Sequence, residues 1–192
     1  SGPLPVLLCY TPYRKDDRSF WSYHPYVTYL AARGYEVVVA DLVGTGASSG
    51  VKESPFSTDE GAQAVEIVEW LADRPWTNGR VGMFGLSYPG MTAIRAAIHD
   101  PEPLDAIVTL YSAYTTYERR GTLASSLVSG GAIGYQAALR WLPMMQMLQA
   151  MPPRRAPGDG GRWADVWQER LEHLRDEPPW LFQYLDHESP KD

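Results

Sequence analysis

A chain of 192 residues with 44% hydrophobic and 21% charged residues has ordinary globular composition and the length of one domain, or of a piece of a larger protein. Its net charge of −6 argues against nucleic acid as a partner, because no basic patch is available to neutralise phosphates. No apolar run is long enough to span a bilayer, and the single cysteine, Cys9, excludes disulfides and reads as a buried thiol in a strand. The chain opens on no signal peptide, so the cytoplasm is the default compartment; Ser1-Gly2-Pro3 running almost directly into a strand reads as a cut N-terminus.

The first element is a continuous apolar run, Pro5 to Tyr10, which suits a strand buried on both faces and ends at Thr11-Pro12. Tyr26 to Arg33 reads as a helix closed by Gly34. Glu36 to Ala40 is a second buried strand, and Asp41 to Pro55 is a loop rich in Gly and Ser. Ser57 and Glu60 have capping-box spacing at the head of a helix whose Ala64, Ile67, Val68 and Leu71 share one face. Pro75 ends that helix, Asn78-Gly79 turns the chain into a strand from Val81, a helix follows Ser87 to about His99, and Ala106 to Leu110 is the fourth strand. Strand and helix alternate at βαβ spacing, which predicts an α/β fold with a doubly wound, mainly parallel sheet. After Thr116 the texture changes. Ala132 to Gln149 and Arg162 to Arg175 read as helices, no strand signal returns, and the expected division is a core over residues 1–116 and a helical cap over 117–192.

Val81-Gly82-Met83-Phe84-Gly85-Leu86-Ser87-Tyr88-Pro89-Gly90 is the most informative stretch. A strand runs into a glycine-flanked serine and a small-residue helix follows, the context in which a serine becomes a nucleophile. The pattern is G-x-S-Y-x-G, one residue longer than the G-x-S-x-G elbow. The turn lifts the Ser87 hydroxyl above the sheet and aims N–H groups of the helix, that of Met91 among them, at whatever binds there. Gly85 and Gly90 remove the Cβ atoms that would clash in so sharp a turn.

A serine nucleophile needs a base, an orienting acid and oxyanion donors. None of the four histidines is a convincing base. His24 precedes the serine and opens a helix. His99 closes the helix that Ser87 starts, about 12 residues or roughly 18 Å away at 1.5 Å per residue. His173 reads as a solvated helix position and His187 as a turn or cap. The oxyanion side is better supplied: the backbone N–H of Tyr88 follows the nucleophile, and the loop Thr11-Pro12-Tyr13-Arg14-Lys15 could present the Tyr13 hydroxyl. On the residues alone Tyr13 reads equally well as a packing tyrosine.

Thr11-Pro12-Tyr13, Gly34-Tyr35 through Asp41, Gly44-Thr45-Gly46-Ala47-Ser48-Ser49-Gly50, Trp70, Pro75-Trp76-Thr77-Asn78-Gly79 and the Gly85–Gly90 motif occur in this order. In that respect the chain resembles the cocaine esterase and Xaa-Pro dipeptidyl-peptidase family of α/β-hydrolase serine hydrolases, which includes α-amino acid ester hydrolases and glutaryl acylases. The resemblance is good over about residues 5 to 115 and loose beyond. It implies Ser87 as nucleophile, with the Tyr13 hydroxyl and the Tyr88 N–H as the oxyanion hole. It also implies an acid and a histidine on later strands beyond Asp192, so that these residues hold a segment of a longer hydrolase. One departure is that the family's Asp-x-Arg-Gly pattern is Asp41-Leu42-Val43-Gly44 here, which leaves the partner of Asp41 open.

Other motifs have plainer readings. Gly44-x-Gly46-x-x-Ser49 lacks both the third glycine and a following helix, so a dinucleotide is not expected, and no cofactor is. No His/Cys/Asp cluster has metal-ligand spacing. Trp141, Met144, Met145, Met147, Met151, Trp163 and Trp167 could line an acyl pocket, but packing within the helical part is the preferred reading. Arg154-Arg155 and Asp59-Glu60 read as solvated charges at helix ends. The expected function is hydrolysis of a small ester or amide, or of a short peptide, through an acyl-enzyme on Ser87. The alternatives are Xaa-Pro dipeptidyl-peptidase activity and a non-catalytic α/β binding module; the oligomeric state is left open.

Overall fold

The computed structural model describes residues 2–17, 23–112, 128–129, 132–133, 137–177, 179–180 and 182. Contacts divide the chain into one unit of Ser1–Leu42 with Phe56–Ser112 and a second of Val43–Pro55 with Ala113–Asp192.

In the first unit, β1 (Leu4–Thr11), β2 (Glu36–Asp41), β3 (Thr77–Leu86) and β4 (Leu104–Leu110) form a parallel sheet in the order β2-β1-β3-β4. Cys9 pairs with Val39, and Met83 lies between Leu8 and Ile107. The apolar run of β1 is interior: Val6, Leu8, Cys9 and Tyr10 are all buried. Residues 36–40 of β2 are only half-buried, not buried as the Val-rich run predicts. The cause is position, since β2 is an edge of this sheet and has one strand neighbour.

The helices are α1 (His24–Ala31), α2 (Asp59–Ala72) and α3 (Tyr88–Ile98). The β1-to-β2 connection advances opposite to the later ones, so right-handed crossovers place α1 on one face and α2 and α3 on the other. The helices α2 and α3 pack on each other and on β1 and β3. Ala64, Val68, Leu71, Met91, Ala93 and Ala96 are buried. Truncating one of the larger of these, Leu71→Ala, should cost roughly 2–5 kcal/mol. A Cβ on Gly61 would stand 2.8 Å from His99 Nε2 and 3.2 Å from the Arg95 carbonyl, so the two helices close on each other there. On the other face, Cys9 and Tyr23 pack with Val27, Val39, Phe84 and Leu86. Burial pushes the Cys9 thiol up to about 12.

The capping box at Ser57 does not form. The first turn of α2 starts at Asp59, its N-cap Thr58 makes no side-chain bond, and Glu60 is buried rather than solvated. The Glu60 carboxylate is engaged elsewhere, as described below.

In the second unit, β5 (Val128–Ser129) and β6 (Ala132–Ile133) pair antiparallel, a π-helical turn covers Ala137–Trp141, and α4 (Leu142–Ala150) and α5 (Arg162–Asp176) follow. A single helix from Ala132 and the absence of further strands are therefore corrected. Two signals in the sequence account for this. In the sequence, Gly130-Gly131 between Val128-Ser129 and Ala132-Ile133 is a dipeptide favoured in two-residue hairpin loops, and Pro143 is tolerated only in a first helical turn, where α4 places it. Arg170 of α5 is buried, and its guanidinium donates to the carbonyls of Gly46 (2.9 Å), Gly50 (3.5 Å) and Ser48. Gln149 adds a bond to the Lys52 carbonyl at 3.2 Å. The 43–55 loop is thus held by side chains of α4 and α5. The boundary expected near residue 116 lies outside the described residues.

Candidate active site

Ser87 occupies the single residue between β3 and α3, at φ 66° and ψ −123°. A non-glycine residue in that region costs about 1–3 kcal/mol and persists only where its surroundings enforce it. Here they do. The Ser87 N–H donates to the Leu110 carbonyl at 2.7 Å, and the Ser87 carbonyl accepts from Gly90 N–H (3.0 Å), Met91 N–H (3.1 Å) and Ser112 Oγ (2.8 Å). The expectation that the Met91 amide is aimed at a ligand is therefore corrected, because that N–H is spent on the Ser87 carbonyl. Both flanking glycines are sterically required: a Cβ on Gly85 would fall 2.3 Å from the Pro89 carbonyl carbon, and one on Gly90 would fall 1.9 Å from Ser112 Oγ.

Tyr13 reaches the serine from the loop after β1, its hydroxyl oxygen 3.4 Å from Ser87 Oγ. That separation is contact, longer than a good O–H···O bond. The loop is fixed by its own polar groups. Tyr13 N–H donates to Thr11 Oγ1 at 3.1 Å, and Lys15 N–H donates to Asp41 Oδ1 at 2.7 Å. Lys15 Nζ lies 3.9 Å from Asp41 Oδ2. Asp41, buried and without the Arg expected at position 43, thus finds its partners in Lys15.

Tyr88 is the first residue of α3, so its N–H stands ahead of the helix's own ladder, beside Ser87. Its side chain is buried. The phenol donates to Glu60 Oε1 at 2.5 Å and accepts from Phe56 N–H at 2.6 Å. Burial, and after it the Glu60 carboxylate, push this phenol well above its ordinary pKa. The Tyr88 ring stacks on Phe56 (4.5 Å, 18°) and meets the edge of Tyr13 (6.3 Å, 85°). Ser87, Tyr13 and Tyr88 are thus brought together.

The histidines are not. His24 and His99 are exposed, at the start of α1 and the end of α3. His173 is half-buried on α5, in the second unit, and His187 lies outside the described residues. Among the described residues no cluster of His, Cys, Asp or Glu could hold a metal ion, and no helix is long and apolar enough to cross a membrane. The Gly44–Gly50 loop directs carbonyls at Arg170, the opposite polarity to a phosphate cradle. Met145 is buried while Met144, Met147 and Met151 are exposed, so the packing role holds for Met145 alone of these four. Arg155 is exposed and stacks 4.2 Å over Trp163.

The family model of the X-Pro dipeptidyl-peptidases (S15 family) matches residues 1–192. The chain belongs to the S15 family. Cocaine esterase of Rhodococcus sp. (strain MB1 Bresler) is 36% identical over 141 residues, covering 73% of this S15 chain and 23% of the esterase. An Xaa-Pro dipeptidyl-peptidase of Pediococcus pentosaceus is 30% identical over 131 residues, 58% of this chain and 16% of that protein. The S15 chain therefore spans less than a quarter of the length of these two relatives. Among solved structures, an α-amino acid ester hydrolase superposes with a TM-score of 0.66 at 20% identity over 97% of this chain and 33% of its own. A CocE/NonD family hydrolase of Staphylococcus aureus does so with 0.62 at 22% identity, over 98% and 34%. These likenesses give the fold, α/β-hydrolase-like with a mainly parallel sheet.

Glu60, Asp41 with Lys15, and Ser112 are the site's supports that sequence reasoning missed. A signal for Glu60 was present: positions 60, 64, 68 and 71 follow helical spacing, which puts the carboxylate on the apolar face of α2.

Proposed function

We propose that this chain carries the nucleophile and oxyanion hole of a serine hydrolase that cleaves an ester or amide bond through an acyl-enzyme. Ser87 Oγ attacks the substrate carbonyl carbon, the carbonyl oxygen becomes an oxyanion received by the Tyr13 hydroxyl and the Tyr88 N–H, and the leaving alcohol or amine departs with a proton. Water then takes the acyl group from Ser87. The observation that carries this reading is Ser87 at φ 66° between strand and helix with the Tyr13 hydroxyl 3.4 Å from its Oγ. The Ser87 proton needs a base. No histidine among the described residues hydrogen-bonds Ser87, and the S15 relatives are several times longer, so we assign base and acid to residues outside the described ones.

The test is turnover of a para-nitrophenyl ester and of a Xaa-Pro para-nitroanilide by the full-length protein and its Ser87→Ala variant. Loss of all turnover in the variant is expected, and near-normal turnover there would sink the scheme. Ester turnover with no release of nitroaniline identifies an esterase, because the activated ester is intrinsically the more reactive of the two substrates. The second reading, a dipeptidyl-peptidase, is favoured by the family description itself, and faster release of nitroaniline would establish it.

A further inference from the structure

Beneath the elbow lies a buried carboxylate with no part in the chemistry so far. Glu60 is 1% exposed. Its Oε1 accepts the Tyr88 hydroxyl at 2.5 Å, and its Oε2 accepts from Arg95 at 3.1 Å. The same Arg95 nitrogen donates to the Ser57 carbonyl at 2.7 Å. Phe56, whose N–H holds the other side of the Tyr88 oxygen, sits at φ 63°, rare for a bulky residue, and stacks on the ring. Three elements thus converge on one phenol: α2 through Glu60, α3 through Arg95, and the segment leading into α2 through Phe56.

Stability alone does not account for this arrangement. Burying a carboxylate with its cation costs desolvation, and apolar residues of similar volume in its place are often neutral or better. What the pair does supply is a fixed position. Tyr88 is the residue after Ser87, so a locked phenol locks the ring, the Cα and the N–H at the head of α3. The same ring is in edge contact with Tyr13, the source of the second donor. We infer that Glu60, with Arg95 as its countercharge, is a positioning residue for the oxyanion hole, acting through the Tyr88 side chain; this rests on the acyl-transfer reading above.

The experiment is a double-mutant cycle on turnover of a para-nitrophenyl ester by the full-length protein, with Glu60→Gln, Tyr88→Phe and the double variant. A shift in how the hole is aimed falls on the transition state, so each single variant should lower kcat about tenfold to a hundredfold with KM changed less than about twofold. If Glu60 acts through the phenol, Glu60→Gln should add nothing in the Tyr88→Phe background. An unchanged kcat in Glu60→Gln, or full additivity in the double variant, would overturn the inference. Should Glu60→Gln fail to fold, Tyr88→Phe decides alone, and an unchanged kcat there would overturn it equally. Ser87→Ala measured alongside separates the two claims: turnover in that variant removes the acyl-transfer reading, whereas a dead Ser87→Ala beside a normal Glu60→Gln removes only the role of Glu60.

Discussion

Gly90→Ala probes the mechanical support of the elbow with a single methyl group. That methyl would sit 1.9 Å from Ser112 Oγ and 2.9 Å from both Ser112 Cβ and the Gly85 carbonyl oxygen. The Ser112 hydroxyl must leave, and with it the bonds to the carbonyls of Ser87 (2.8 Å) and Leu110 (2.9 Å). The one hydroxyl proton is shared between these two carbonyls, so the two bonds together are worth about 1 kcal/mol. Residual crowding of the backbone adds about 1–3 kcal/mol, and the better helix propensity of Ala returns about 1 kcal/mol. The net loss is about 1–3 kcal/mol, read as a lower midpoint of chemical denaturation at unchanged slope. Removing the obstruction should recover part of it. Gly90→Ala with Ser112→Gly removes both Ser112 side-chain atoms from the methyl's path, so the double variant should be more stable than Gly90→Ala. A Gly90→Ala protein within about 0.5 kcal/mol of wild type, the usual scatter of surface changes, would refute the steric account of the G-x-S-Y-x-G spacing.

Three further outcomes are expected. Tyr13→Phe keeps the ring contact with Tyr88 and removes only the hydroxyl, so kcat should fall roughly two to three orders of magnitude; an unchanged kcat makes Tyr13 a packing residue. Cys9, with its pKa raised from 9.0 to about 12, contributes stability that is complete below pH 9 and lost as pH rises toward 12, because the unfolded thiol ionises first. Urea titrations should therefore show stability falling above pH 9, by at most about 1.4 kcal/mol per pH unit from this group, and Cys9→Ala should flatten the pH 9–10 part of that slope. Arg170→Met leaves the carbonyls of Gly46, Ser48 and Gly50 without their buried donor and should cost about 2–5 kcal/mol. It should also open the 43–55 loop to proteolysis, and an unchanged cleavage pattern would contradict its anchoring role.

What was legible in the sequence is what local chemistry dictates. The Val81–Gly90 stretch carries its own turn, since glycines at 85 and 90 are demanded by atoms within the motif or just past β4, and strand and helix alternation fixed the sheet order's class. Supports that depend on distant partners were hidden. Ser57 and Glu60 have the spacing of a local cap, but the Tyr88 phenol and Arg95, 28 and 35 residues on, compete for the carboxylate and win. Asp41 was read against a missing arginine two residues away, while its partner Lys15 lies 26 residues upstream. In the helical part, a single helix from Ala132 to Gln149 runs through Pro143 and gives no weight to Gly130-Gly131, although those residues carry the stronger stereochemical constraint.

Covalent labelling of the full-length protein with a fluorophosphonate, followed by intact mass and peptide mapping, tests the central claim most directly. The account predicts one adduct, on Ser87, absent from Ser87→Ala and formed more slowly in Tyr13→Phe. Undiminished labelling of Ser87→Ala, or an adduct mapped to another residue with Ser87 unmodified, would contradict it.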